Sequence, residues 1–162
     1  MDSNHSFDKI PVFKKVALSE DGEYLQFIPS VAILGIPDDG RVLLIEQYRG
    51  VVQKNTIELP GGKIEAGEDI FQAAQRELLE EAGYTAGEYE LIVSLDMDLS
   101  ASRHVTHLVW AKLKEYHGHK ENTRQLLVDL DQALDMFKNG LITHAPTVVA
   151  LLWMKLRGCV AE

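Results

Sequence analysis

The sequence contains little sulfur and no long apolar stretch. Its 162 residues include one cysteine, Cys159, so no disulfide can form within the chain, and a single thiol is typical of a reducing compartment such as the cytoplasm. We interpret Cys159 as an unreactive residue. No run reaches the roughly 18 apolar residues that a membrane helix needs, and residues 1–10 lack the basic and apolar segments of a signal peptide. We therefore expect a cytoplasmic protein without a membrane span.

Basic residues are also scarce. The chain has 16 Lys and Arg against 25 Asp and Glu, a formal net charge of −9. A nucleic-acid-binding surface is therefore not expected, because its affinity comes from lysines and arginines that neutralise phosphates. A small anionic substrate remains compatible with this charge, since a bound metal ion can offset it. The length suits one domain, and 46% hydrophobic with 25% charged residues is typical of a globular protein.

The hydrophobic pattern predicts a mixed α/β fold with a mixed sheet. Continuous apolar runs at 31–36 and 42–45 indicate strands buried on both faces. Turn residues at 19–22 predict an N-terminal β-hairpin, so we divide the chain into a hairpin, 1–29, and a main domain, 30–162. The full set of expected strands is 12–18, 24–28, 31–36, 42–45, 56–59, 90–96, 105–113 and 125–128, with a loop at 96–104 and helices at 69–83, 130–138 and 146–157.

The first helix has clear end signals. Asp69 with Gln72 three residues later predicts a capping box, and Gly83 can end the helix in the left-handed conformation. An apolar stripe is expected to bury one face of this helix, and it consists of Phe71, Ala74, Leu78 and Ala82.

The other face of this helix carries three carboxylates, Glu77, Glu80 and Glu81. Their spacing places them together, where like charges repel by roughly 0.2–0.5 kcal/mol per pair. A hard cation such as Mg²⁺, which takes oxygen ligands and acts with substrate phosphates, would turn that repulsion into binding. We expect Arg76 and Glu68 to pair and to orient this acidic cluster. The alternative is an ordinary amphipathic helix with a solvated acidic side.

The stretch from Gly62 to Tyr84 resembles the Nudix box of the Nudix hydrolases. Nine specified positions are in register: Gly62, Glu68, Arg76, Glu77, Leu78, Glu80, Glu81, Gly83 and Tyr84. The resemblance implies an α/β/α sandwich and a hydrolase that acts on a nucleoside diphosphate linked to another moiety, with Mg²⁺ or Mn²⁺. It also implies metal binding by Glu77, Glu80, Glu81 and the backbone carbonyl of Gly61, and catalytic roles for Glu80 and Arg76.

Other segments resemble the ADP-ribose pyrophosphatase branch of that family. They are Gln47-Tyr48-Arg49, the residues 57–62 and the residues 140–147. The resemblance implies substrate contacts by Arg49, Glu58 and Arg103. The branch carries a proline near the position of Leu99, whereas this chain has none between Pro60 and Pro146, so the sugar is left open. The alternatives are a clean-up hydrolase of modified nucleoside triphosphates and a non-catalytic Nudix sensor.

Two further expectations follow from the same resemblance. The branch places its general base in a late loop, and Glu121 matches that position, with Glu115, Asp96 and Asp98 as weaker candidates. The branch also packs its N-terminal strands across a twofold axis, which implies a homodimer. The alternative is a hairpin that folds back on its own subunit.

Overall fold

The computed structural model describes residues 13–18, 22–119 and 121–160, without the side chains of 13–18, 22, 23, 159 and 160. Residue 12, most of the turn expected at 19–22 and the side chain of Cys159 lie outside this description. The elements in chain order are β1 (Phe13–Leu18), β2 (Gly22–Phe27), β3 (Ser30–Ile36), β4 (Val42–Arg49), β5 (Lys54–Glu58), β6 (Gly61–Lys63), α1 (Ile70–Ala82), β7 (Tyr84–Asp96), β8 (Ser102–Arg103), β9 (Val105–Tyr116), β10 (Arg124–Val128), α2 (Leu130–Lys138) and α3 (Ala145–Val160).

The strands form three sheets with the orders β1-β2-β8, β10-β4-β5 and β6-β3-β9-β7. Strands β3 and β9 are parallel, whereas β6 and β7 are antiparallel to their neighbours, so this sheet is mixed as expected. None of the helices in the described parts of the chain is both long and apolar enough to cross a membrane.

The continuous apolar runs are buried on both faces, which explains why they lack alternation. Alternate residues of β3 and β4, such as Ile33 and Ile45, pack with α1 through Ala74 and Leu78. The intervening residues belong to a second core with α2 and α3, whose buried members include Leu34, Val42, Leu44, Leu134 and Leu151. The result is the predicted α/β/α arrangement, with one helix on one side and two on the other.

The end signals of α1 are confirmed. The Asp69 carboxylate accepts from the backbone N–H groups of Phe71 and Gln72, and the Gln72 side chain accepts from the Asp69 N–H. Gly83 has a φ of 71° and closes the helix. A side chain at Gly83 would be strained, and its Cβ would lie 2.6 Å from the backbone carbon of Gly118. Gly83 therefore lets the loop after β9 approach the end of α1.

Some expectations about exposure and boundaries were wrong. Phe71 is 43% exposed and Ala73 takes its place in the core, because the buried stripe of α1 is turned toward the carboxylates. Leu152 and Leu156 are also exposed, since α3 packs through Ala150 and Leu151. Strand β7 begins at Tyr84, six residues earlier than expected, and the loop expected at 96–104 contains β8.

The N-terminal hairpin contacts the rest of its own chain through β8. Strand β2 pairs in parallel with β8, and the Leu25 N–H donates to the carbonyl of Ala101 at 2.9 Å. Strand β1 pairs with β2 along its full length and is the outer strand of this sheet.

Candidate active site

The carboxylates of Glu77 and Glu81 are buried, not exposed as an ordinary acidic helix face would be. Glu77 is 8% and Glu81 5% accessible, while the Glu80 side chain is 34% accessible. Strand β6 covers the first two, and Gly62 leaves room for them, because a Cβ there would collide with the Glu77 carboxylate. The solvated-face alternative is therefore wrong for Glu77 and Glu81.

Burial changes the acidity of both groups. Desolvation raises the pKa of the Glu81 carboxyl to about 7, and the nearby charges of Glu77 and Glu121 add to the effect. The Gly61 N–H, which donates to Glu81 Oε2 at 2.7 Å, acts in the opposite direction. Burial likewise raises the pKa of Glu77, against the influence of Arg76. The sequence places negative charge here without a fixed cation for Glu81.

Arg76 joins the loop before α1 to the acidic cluster. Its Nε and Nη2 donate to the two Glu68 oxygens at 2.7 and 3.0 Å, which confirms the expected pair. Its Nη1 donates to Glu77 at 2.7 Å and lies 3.4 Å from Glu80. The bonds from Arg76 lower the pKa of Glu68 to about 2, so Glu68 stays ionised. Arg76 therefore fixes the position of Glu77 and draws Glu80 toward itself.

These carboxylates line an open hollow whose donor chemistry fits a hard divalent cation. This hollow, the carboxylate hollow, is lined by Glu77, Glu81, Gly61, Gly62, Lys63 and Arg49, among others. Buried oxygen ligands with raised pKa values are suited to bind a cation that offsets their desolvation. Over the described ranges, no three His, Cys, Asp or Glu side chains are gathered closely enough to form a preassembled metal cluster. Glu77 and Glu81 are the members that face the hollow.

Arg49 and Glu58 lie beside the carboxylate hollow and bind each other. Arg49 Nε and Nη2 donate to the two Glu58 oxygens at 3.1 and 2.8 Å, and the Thr56 hydroxyl donates to Glu58 at 2.6 Å. Although burial opposes it, these bonds hold the pKa of Glu58 below its usual value. The planar fork that we expected for phosphate is thus occupied, and Nη1 is the part of the Arg49 guanidinium without a hydrogen bond to another described residue.

Two more hollows meet at this ion pair. The main cavity, about 330 Å³, is bounded by Arg49, Glu58 and His144 at one end and by Phe27, Met97 and His104 at the other. The hairpin hollow, about 490 Å³, lies between Tyr48, Val51, Val52 and Thr143 and shares the same three polar residues. Phe27 and His104 stack with ring centroids 5.0 Å apart. A polar strip therefore separates two spaces that have apolar walls.

The loop before β10 is tied to the last turn of α1. The Thr123 hydroxyl donates to the carbonyl of Glu81 and the Gln125 amide to that of Ala82, both at 2.5 Å. The Glu121 N–H donates to the carbonyl of Glu80 at 3.3 Å. His119 Nε2 donates to the Thr123 carbonyl at 3.0 Å, and its Nδ1 accepts from Gln125 at 2.8 Å. These bonds satisfy helix-end carbonyls and bring Glu121 to the acidic cluster.

The structure does not gather every residue that we expected at the site. Arg103 is exposed in β8 and borders a separate small hollow with Tyr24 and Leu99. His107, expected to be an ordinary polar residue, bonds Ser94 across the sheet at 2.8 Å. His104, given the same reading, borders the main cavity.

Sequence reasoning missed the roles of two other histidines, His119 and His144. His144 stands three residues before Thr147 at the start of α3, a spacing that brings the two side chains together, and this signal was available.

Comparison with known proteins agrees with this geometry. The family model of the NUDIX domain matches residues 26–148, and the chain belongs to the Nudix family. It is 33% identical over 137 residues to the methanol dehydrogenase activator of Bacillus methanolicus, covering 79% of this chain and 72% of that protein. It is 28% identical over 134 residues to the ADP-ribose pyrophosphatase of Bacillus subtilis, with the same coverage. A solved ADP compounds hydrolase superposes with a TM-score of 0.73 over 92% of this chain and 95% of its own, at 24% identity, and so shares the fold.

Proposed function

We propose that this Nudix protein is a pyrophosphohydrolase that cleaves the diphosphate of a nucleoside diphosphate sugar, with ADP-ribose as the leading substrate. The observation that carries the proposal is the pair of buried carboxylates, Glu77 and Glu81, in a hollow that also receives Arg49 and Lys63. A diphosphate needs both a cation site and basic side chains, and this hollow offers both. The similarity to an ADP-ribose pyrophosphatase supports the choice of sugar.

The cation that we propose is Mg²⁺, with Mn²⁺ as a substitute. Glu77 and Glu81 would hold it, together with Glu80 and the Gly61 carbonyl. When bound, it would neutralise the diphosphate and lower the pKa of a bound water. Arg76 keeps Glu77 in place through a 2.7 Å bond, and this is the contribution that we assign to it.

The protein groups have separate tasks in this scheme. Glu121, which the loop holds beside α1, would accept the proton of the attacking water. The free Nη1 of Arg49 would bind a phosphate oxygen while Glu58 keeps the guanidinium plane fixed. Water attack breaks one P–O bond of the diphosphate and gives a nucleoside monophosphate and a sugar phosphate.

A second candidate substrate class comes from the methanol dehydrogenase activator. Dehydrogenases of that type of chemistry commonly use nicotinamide dinucleotides, which are also nucleoside diphosphates linked to a second riboside. We therefore propose that dinucleotides belong in any substrate test. A nucleoside triphosphate is the remaining alternative.

The proposal is tested by measuring kcat/KM with Mg²⁺ for ADP-ribose, ADP-glucose, UDP-glucose, NADH and 8-oxo-dGTP. We expect ADP-ribose to be preferred. Preference for 8-oxo-dGTP would contradict the proposal, and preference for NADH would move it to dinucleotides. No turnover of any compound, with Mg²⁺ or Mn²⁺, would favour the sensor alternative.

We also propose that the hairpin, 1–29, serves a homodimer of the main domain, 30–162. The outer strand β1 has one sheet neighbour among the described strands, β2. A second copy can pair with such an edge or pack on it. The contact of β2 with β8 supports only the attachment of the hairpin to its own subunit.

A further inference from the structure

A hydrogen-bond chain across the polar strip fixes which nitrogen of His144 carries a proton. The Leu59 backbone N–H donates to Thr147 Oγ1 at 2.9 Å, and this oxygen lies 2.9 Å from His144 Nδ1. Thr147 is fully buried. Its hydroxyl proton therefore needs an acceptor, and His144 Nδ1 is the acceptor that its contacts with other described residues provide.

The neutral ring must then carry its proton on Nε2. If Nδ1 were protonated, it would donate to Thr147 Oγ1 and leave the buried hydroxyl proton without a partner. The Glu58 carboxylate does not offer an alternative, because its Oε2 is 3.9 Å from Nδ1, which is too long for a hydrogen bond. Burial also lowers the pKa of His144, which agrees with a neutral ring.

The Nε2–H is left available to a ligand. Nε2 makes no hydrogen bond to another described residue, and it is not among the buried polar atoms that lack a partner. The side chain is 34% exposed, and His144 borders both the main cavity and the hairpin hollow. It does not border the carboxylate hollow. Its donor therefore serves a part of the substrate other than the diphosphate held at Glu77 and Glu81.

We propose that His144 is a substrate-binding residue whose neutral Nε2–H donates to a sugar hydroxyl oxygen of the nucleoside diphosphate sugar. A neutral donor suits a hydroxyl, whereas the charged groups Arg49 and Lys63 suit phosphate. Thr147 is a positioning residue that holds the tautomer. This inference rests on the proposed function for the identity of the ligand, whereas the tautomer is independent of it.

The tautomer is tested first. A long-range ¹H–¹⁵N NMR spectrum of the ¹⁵N-labelled chain at pH 8 should show His144 with protonated Nε2 and unprotonated Nδ1. Thr147→Ser should keep this pattern, because serine retains the hydroxyl. Protonated Nδ1 in the wild-type chain would overturn the inference whether or not the chain hydrolyses ADP-ribose.

Two substitutions then test the donor. The amide nitrogen of His144→Gln reaches the position of Nε2, whereas that of His144→Asn reaches only the position of Nδ1. Calorimetry in EDTA, where no hydrolysis is expected, should show that Asn weakens ADP-ribose binding roughly 5- to 10-fold, the scale of one hydrogen bond, and that Gln weakens it less than about twofold. Equal effects of Gln and Asn, or wild-type affinity in both, would overturn the proposal.

The products identify which sugar is contacted. AMP carries the ribose of the nucleoside, and ribose 5-phosphate carries the terminal sugar. His144→Asn should weaken binding of one of them by the same factor as ADP-ribose and leave the other unchanged. A change in kcat at saturating ADP-ribose that exceeds the change in KM would show that His144 acts on the reaction and would contradict a binding role. Absence of any ADP-ribose hydrolysis by the wild-type chain, with normal NMR, would overturn the ligand but not the tautomer.

Discussion

Glu81→Gln should make the metal-free protein more stable and the enzyme inactive. The Glu81 side chain is buried, its pKa is raised from 4.5 to about 7, and its neighbours Glu77 and Glu121 are also acidic. Glutamine has the same size and can still accept the bond from the Gly61 N–H, so the substitution removes mainly the charge. The carboxylate would therefore be kept for its function at a cost in stability.

The magnitude follows from linkage. Between pH 4.5 and 7 the unfolded chain loses this proton while the folded chain keeps it, so rising pH favours unfolding. Each pH unit of this interval corresponds to about 1.4 kcal/mol, which gives an upper bound of roughly 3 kcal/mol above pH 7. We expect Glu81→Gln to gain about 1–3 kcal/mol over wild type on going from pH 5 to pH 8. For a chain of this length that is an advantage of about 3–10 °C in Tm.

The assay is thermal unfolding in EDTA at pH 5 and pH 8, followed by circular dichroism. The matched control is Glu88→Gln, which removes an exposed charge from β7 and should shift Tm by the same small amount at both pH values. Addition of Mg²⁺ at pH 8 should stabilise wild type but not Glu81→Gln, and kcat should fall roughly 10²–10⁴-fold. Parallel pH dependence of wild type and Glu81→Gln in EDTA would refute the reasoning.

Three other predictions concern the base, the loop and the assembly. Glu121→Gln should lower kcat roughly 10²–10⁴-fold without changing Mg²⁺ affinity, whereas Glu77→Gln should weaken Mg²⁺ binding in the same titration. A rate within a few fold of wild type would instead point to Asp96, Asp98 or a box glutamate as the base. His119→Leu should lower kcat with Mg²⁺ affinity retained, since the loop would lose two bonds; unchanged kcat would dissociate the loop from catalysis. Light scattering at micromolar concentration should give twice the 18.1 kDa mass of one chain, and a mass near one chain would rule out the dimer.

Local signals predicted the parts of the fold that depend on neighbouring residues. The capping box at Asp69, the end of α1 at Gly83 and the pair of Arg76 with Glu68 all follow from short sequence distances. The buried strands β3 and β4 were predicted because both of their faces are apolar. By contrast, β6 and β8 were missed, because two- and three-residue strands exist only through their distant partners, β3 and β2.

The site was harder to predict where long-range contacts decide the chemistry. The spacing of Glu77 and Glu81 placed them on one face, but their burial depends on a strand that carries no apolar pattern. The ion pair of Arg49 and Glu58 joins neighbouring strands, so its geometry required the register of β4 and β5. Thr147 meets Leu59 across 88 residues of sequence, and no local pattern could have indicated that bond.

The products of ADP-ribose hydrolysis test the central claim most directly. Wild-type chain, Mg²⁺ and ADP-ribose should be followed by ³¹P NMR, with Glu81→Gln as the inactive control. The account predicts that the two diphosphate signals disappear and that two phosphomonoester signals of equal intensity replace them, those of AMP and ribose 5-phosphate. Persistence of the diphosphate signals with wild type, or equal conversion by Glu81→Gln, would contradict it.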